Sequence, residues 1–125
     1  MSSKRAPFDP RPFVEHYKEQ NRQEIIVIGQ RAAAARHEAR ALAERILQED
    51  ADVRAVILFG SLAEGEPNRM DFDIDLALDG GDVFKALDAV EGSTFRVDIV
   101  RLDKVPQHLR SRITERGVLL VHRQP

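Results

Sequence analysis

Between residues 31 and 49 apolar positions recur at helical spacing. Ala35, Ala39, Leu42, Ala43, Ile46 and Leu47 share one side of a projected helix, with Arg36, Arg40, Glu44 and Arg45 on the other. The small alanines predict close packing against a neighbouring element. Upstream, Phe13 to Ile28 is also helix-compatible, although the β-branched run Ile25-Ile26-Val27-Ile28 would suit a short strand, and Gly29 offers a break between two helices. Val53 to Phe59 is almost wholly apolar, the pattern of a strand covered on both faces, and it runs into Gly60-Ser61.

Two later segments alternate with a period of two. Ile74, Leu76 and Leu78 face one way and Asp73, Asp75 and Ala77 the other; Phe95, Val97 and Ile99 likewise oppose Arg96, Asp98 and Val100. Between them Gly80-Gly81 marks a turn and Asp82 can cap a helix through Val90. Pro106 fits the first turn of a helix to about Arg116, Gly117 stops it, and Val118 to Val121 forms a last strand. The expected fold is α/β (α+β): a mixed sheet with helices packed on it, preceded by N-terminal helices. Three stretches are distinguished, namely a Pro-rich irregular arm over 1–12, a helical region over 13–50 and a sheet-containing domain over 51–125.

A chain of 125 residues supports one core. No apolar run spans a bilayer and no apolar stretch follows Lys4-Arg5, so neither membrane insertion nor a secretory leader is expected. With no cysteine, disulfides and thiolate zinc sites are excluded and the cytoplasm is the expected compartment. The net charge of -2 hides an asymmetry: Lys plus Arg against Asp plus Glu stands at 10 to 9 over residues 1–54, 3 to 10 over 55–100 and 6 to 2 over 101–125. A middle third at -7 on strand-like sequence calls for a positive partner, and a divalent cation is the obvious one.

Asp73 and Asp75 leave the same face of a strand about 6.6 Å apart. If the strand carrying Asp98 pairs alongside, three carboxylates converge, and an all-oxygen cluster of this kind suits Mg²⁺, which completes its shell with water and substrate phosphate. Two such ions can hold the attacking and leaving oxygens of an in-line phosphoryl displacement. Gly60-Ser61, at a strand end, is a plausible phosphate cradle. An EF-hand loop from Asp71 is excluded by Leu76 and Asp82 at its glycine and glutamate positions, and a P-loop by Glu66-Pro67 where Lys-Ser/Thr is needed. His16, His37, His108 and His122 are scattered and expected at the surface.

Leu58-Phe59-Gly60-Ser61-Leu62-Ala63-Glu64-Gly65 followed by Asp73-Ile74-Asp75-Leu76 resembles the signature of minimal nucleotidyltransferase (MNT) domains in the DNA polymerase β-like superfamily. The likeness continues through Arg96-Val97-Asp98-Ile99-Val100 and covers about residues 50–122. It implies transfer of an NMP, AMP above all, from ATP or another Mg-NTP to a hydroxyl acceptor, with two Mg²⁺ ions. Asp73, Asp75 and Asp98 would bind metal, Asp98 would also help deprotonate the acceptor, and Gly60-Ser61 would hold the outer phosphates. Leu62 stands where many relatives carry a basic residue, so a phosphate contact is either missing or supplied by Arg69, and Phe72 stands where a Ser is usual, which leaves room for loss of catalysis. Free-standing MNT proteins often pair with a HEPN-domain toxin, so the alternative is an antitoxin-like binding module without catalysis. The N-terminal helices offer a surface for a partner or for a homo-oligomer. Nucleic-acid binding through Arg101, Lys104, Arg110, Arg112 and Arg116 is disfavoured by a pI near 6.1.

Overall fold

The computed structural model describes residues 7–124, and of the expected arm residues 1–6 lie outside them. Residues 7–10 are irregular, and a single helix, α1 (Arg11–Glu49), follows for 39 residues. Pro12 sits in its first turn, where a backbone N–H has no intrahelical acceptor to lose. The expected break at Gly29 does not occur, and Ile25 to Ile28 are helical rather than a strand. A lone glycine costs a helix only about 1 kcal/mol relative to alanine, too little to interrupt one whose second half is locked into the core. The anticipated N-terminal helices are therefore one.

That lock is a stripe of Ala32, Ala35, Ala39, Leu42, Ala43 and Ile46, all at most 1% exposed. The remaining elements are β1 (Ala55–Phe59), β2 (Ile74–Asp79), α2 (Val83–Ala89), β3 (Val97–Arg101), α3 (Gln107–Arg116) and β4 (Val118–His122). The four strands form one sheet in the order β3-β2-β1-β4, with β2 and β3 parallel and the other pairs antiparallel. Its inner face, with Val56, Leu58, Ile74, Leu76 and Leu78, packs on the α1 stripe and on Ala86 and Ala89 of α2. The alternation in the sequence thus becomes a two-layer core that includes the second half of α1.

α3 lies near β1, and Gly117 ends it with an ordinary φ of -72°. Glycine is needed there for close approach: a Cβ would stand 2.6 Å from Ile57 Cγ2 and 2.4 Å from the Ile113 carbonyl oxygen. Asp82 caps α2, accepting from Phe84 N at 2.8 Å, as its position predicts. All four histidines are exposed, and among the described residues no helix is long and apolar enough to cross a membrane.

One charged residue holds the base of the molecule. Asp50, 3% exposed, accepts from the backbone N–H of Asp52 at 3.0 Å and of Asp82 at 2.9 Å, tying the end of α1 to the turn before α2. Arg123 closes the same corner by donating to the carbonyls of Val53 at 2.7 Å and Asp50 at 2.8 Å, and to that of Leu47. The bonds from the Asp52 and Asp82 amides hold the Asp50 carboxyl below the usual range. Its stabilising contribution is therefore complete above that range and fades as the pH falls through it. Asp50→Ala should cost about 1–3 kcal/mol in urea unfolding at pH 7, because two backbone donors lose their acceptor. The gap between variant and parent should narrow as the pH drops below about 4.

Candidate metal and phosphate site

The outer face of the sheet carries the acidic cluster. Parallel pairing sets Asp75 directly beside Asp98, and Asp73 precedes β2 on the same face. The three residues each present a carboxylate oxygen within 4.8 Å of the others. Asp73 and Asp75 are half-buried and Asp98 is exposed. Among the described residues no Lys or Arg pairs with any of them, although their acidic neighbours Glu64, Asp71 and Asp79 are all paired with arginine. Burial first, then the charges of Asp98 and Asp73, push the Asp75 carboxyl up to about 6. Three oxygen donors crowded together without a cationic side chain fit a hard divalent cation.

Beside this cluster lies the turn after β1. Antiparallel register places Phe59 opposite Asp75, so Gly60 follows immediately at the cluster's edge. Gly60 adopts φ +78°, and a Cβ there would stand 2.2 Å from Asp75 Oδ2. Glycine is thus required by the Asp75 carboxylate as well as by the turn. The N–H groups of Ala63 and Glu64 both donate to the Gly60 carbonyl at 3.1 Å, closing the loop and leaving Ser61 exposed at its tip. Leu62 is 2% exposed and belongs to the core. From α1, Arg36 fixes the loop by donating to the carbonyls of Leu62 at 3.0 Å and Gly65 at 2.8 Å while pairing with Glu66 at 3.0 Å.

A pocket of about 480 Å³ opens between this turn and α3, lined by Gly60, Ser61, Glu64, Arg112, Ile113 and Arg116 among others. Arg112 grips Glu64 through two bonds of 3.0 and 3.1 Å and Arg116 adds a third at 3.2 Å. These bonds, that from Arg112 foremost, lower the Glu64 carboxyl. Two guanidinium groups thus share one carboxylate at the mouth of the turn, leaving an excess of positive charge. The signature places Glu64 near Gly60, but nothing in the sequence ties Glu64 to residues 48 and 52 positions downstream.

Arg69 is not brought to this pocket. It pairs with Asp71 at 3.1 Å and lines a separate groove of about 590 Å³ against α1, with Gln20, Glu24 and Val27. The arginines that line the pocket beside Gly60-Ser61 are Arg112 and Arg116. Phe72 is also a core residue, 8% exposed, stacked on Phe95 at 6.4 Å beneath the Arg31 guanidinium, which lies 4.7 Å from the Phe95 ring. Its side chain takes no space in the site.

The profile of the family "Polymerase beta, Nucleotidyltransferase" matches residues 43–125. The chain belongs to this polymerase β-type nucleotidyltransferase family. A comparison with curated protein sequences gave no match. Among solved structures, one described as a toxin–antitoxin with AMP-PNP is similar at 22% identity and a TM-score of 0.55, over 70% of this chain and 74% of that one. The toxin–antitoxin MntA–HepT is similar at 18% and 0.53, over 71% and 74%. A mutant of an MntA toxin–antitoxin gives 17% and 0.55, over 69% and 74%. At these identities the likeness is one of fold.

The raised Asp75 carboxyl has a sign that can be measured. A native carboxyl that holds its proton more tightly than in the unfolded chain stabilises below the unfolded pKa near 3.8 and loses that contribution as the pH rises through about 6. In chelator, the melting temperature should fall between pH 4 and pH 7 more in the parent than in Asp75→Asn, followed by circular dichroism. Equal slopes would contradict the crowding. Gly60→Ala should displace the Asp75 carboxylate and abolish any rise in melting temperature on adding Mg²⁺.

Proposed function

We propose that the chain transfers a nucleoside monophosphate, AMP from ATP, to a hydroxyl acceptor and releases pyrophosphate. The convergence of Asp73, Asp75 and Asp98 beside the Gly60-Ser61 turn is the observation that carries this reading. The three carboxylates would hold Mg²⁺, two ions with the nucleotide in place, and the bound metal supplies charge neutralisation at the attacking and leaving oxygens. Asp98, the most exposed of the three, accepts the proton of the incoming hydroxyl. Ser61 and the free N–H groups of its turn donate to the outer phosphates, and Gly60 leaves the backbone open to them. Arg112 and Arg116 exchange Glu64 for phosphate oxygens, a stronger set of charge-assisted bonds to a more highly charged partner.

The acceptor favoured is a side-chain hydroxyl on a HEPN-type toxin partner, since structures of this fold are described as toxin–antitoxin pairs and one as containing AMP-PNP. The alternative, an antitoxin-like module that binds without catalysis, rests on Phe72 at a position where a Ser is usual; the Phe72 ring is buried in the core and does not obstruct the site, so the labelling experiment separates the two readings.

Incubated with α-labelled ATP, Mg²⁺ and the protein encoded by its genomic neighbour, the chain should label that protein. Asp73→Ala with Asp75→Ala should reduce labelling to background while leaving the complex intact by size-exclusion chromatography. Complex formation with no labelling by the parent chain would overturn the transferase reading. Arg112→Ala should raise KM for the nucleotide about tenfold to a hundredfold, the equivalent of the 1.5–3 kcal/mol carried by hydrogen bonds to charged groups, with a smaller effect on kcat.

A further inference from the structure

Among the described residues, the first half of α1 is covered by no other helix or strand, and Phe13 meets only the ring of Phe8, at 5.7 Å. Every residue from 11 to 27 is exposed, among them Phe13, Val14, Tyr17 and Ile25 at 66%, 44%, 69% and 62%. Residues 11–29 amount to about 28 Å of helix by the rise of 1.5 Å per residue. The buried stripe Ala32, Ala35, Ala39, Leu42, Ile46 advances in alternating steps of three and four. Continued toward the N-terminus, the same steps fall on Ile28, Ile25, Asn21, Lys18 and Val14. The seam that α1 closes on its own sheet is left unfilled over this length.

We infer that a second copy of the chain closes it, the two α1 helices packing antiparallel about a two-fold axis at Asn21. In that register Val14 meets Ile28 and Tyr17 meets Ile25 of the other copy, joining apolar positions. Lys18 meets Glu24, an opposite-charge pair formed twice, and the two Asn21 amides meet each other, each able to donate and accept. Phe13 arrives over Gly29, where no atom lies within 4 Å of the missing Cβ. A groove of about 660 Å³ runs beside the seam, with Ile25, Ile28, Gly29 and Pro67 to receive the aromatic rings of Phe13 and Tyr17 and with Glu24 and Glu66 among its polar lining.

Charge disfavours two of the alternatives. A parallel pair would set Lys18 on Lys18 and Arg22 on Arg22, and an antiparallel pair centred one step toward the N-terminus would also stack Lys18 on itself. The isologous contact is closed, so it stops at two copies. It places the acidic sites on the bodies beyond either end of the helix pair. The inference does not depend on the transferase reading, and its test measures mass rather than label.

At tens of micromolar the full chain should sediment at the mass of two 14.1 kDa protomers. Lys18→Glu should weaken the dimer at least tenfold, and adding Glu24→Lys to it should restore the dimer. Because the chain has no cysteine, a single substitution reports cleanly. Asn21→Cys should oxidise to a covalent dimer, whereas Ala34→Cys, with its two copies about 39 Å apart along the helix axis, should not. A monomer under these conditions, a dimer indifferent to Ile25→Asp and to the charge exchange, or association only with a different protein would each overturn the inference.

Discussion

Three carboxylates held within a few ångströms repel one another, and a chain that brings them together has to restrain each from the opposite side of the sheet. Parallel pairing of β2 with β3 sets the Asp75 backbone beside that of Asp98, so that beyond side-chain rotation and proton uptake the repulsion is relieved by moving the strands apart. That movement is blocked by the inner face, where Ile74, Leu76 and Leu78 alternate with the acidic residues and are fully buried against α1 and α2. Burial on one face thus stabilises crowding on the other. Outcome and cost are visible in Asp75, whose carboxyl is raised to about 6 and which, among the described residues, has no cationic side chain paired with it.

The long helix does more than cover the sheet. Its second half supplies the alanine stripe that lets the helix approach closely, and from the same turns it sends Arg36 to the carbonyls of the loop after Gly60-Ser61 and Arg31 to the Met70 carbonyl and the Phe95 ring. Both ends of the segment that leads from the Gly60-Ser61 turn to Asp73 are therefore held by one rigid element. α3 completes the pocket from the other side with Arg112 and Arg116, whose shared grip on Glu64 keeps positive charge next to Ser61. The acidic middle of the sequence and its basic last third thus meet across the site.

Much of this was legible in the residue pattern. Period-two alternation placed both acidic strands, and the short range of capping made Asp82 readable as a helix start. The grouping of Asp73, Asp75 and Asp98 needed one added assumption, that the two strands are neighbours, and the register meets it. What the pattern could not convey were effects of long sequence separation. Arg36 acts on residues 26 to 30 positions away and Glu64 is held from 48 and 52 positions away, and no local periodicity encodes such pairs. Gly29 is punctuation in sequence but not in structure, because packing elsewhere outweighs one glycine. Gly60 was read as room for phosphate, whereas the nearest atom to its missing Cβ is the Asp75 carboxylate. Phe72 and Leu62, departures from the family pattern at the level of sequence, are both core residues.

The claim on which the account turns is that these three aspartates form one metal centre completed by nucleotide. Electron paramagnetic resonance of free Mn²⁺, titrated with the chain in the presence of a non-hydrolysable ATP analogue, tests it most directly. Two tightly bound ions per chain, reduced by Asp75→Asn and again by Asp98→Asn, is the result expected. Mn²⁺ binding that is absent with nucleotide present, or that is unchanged by both substitutions, would contradict it.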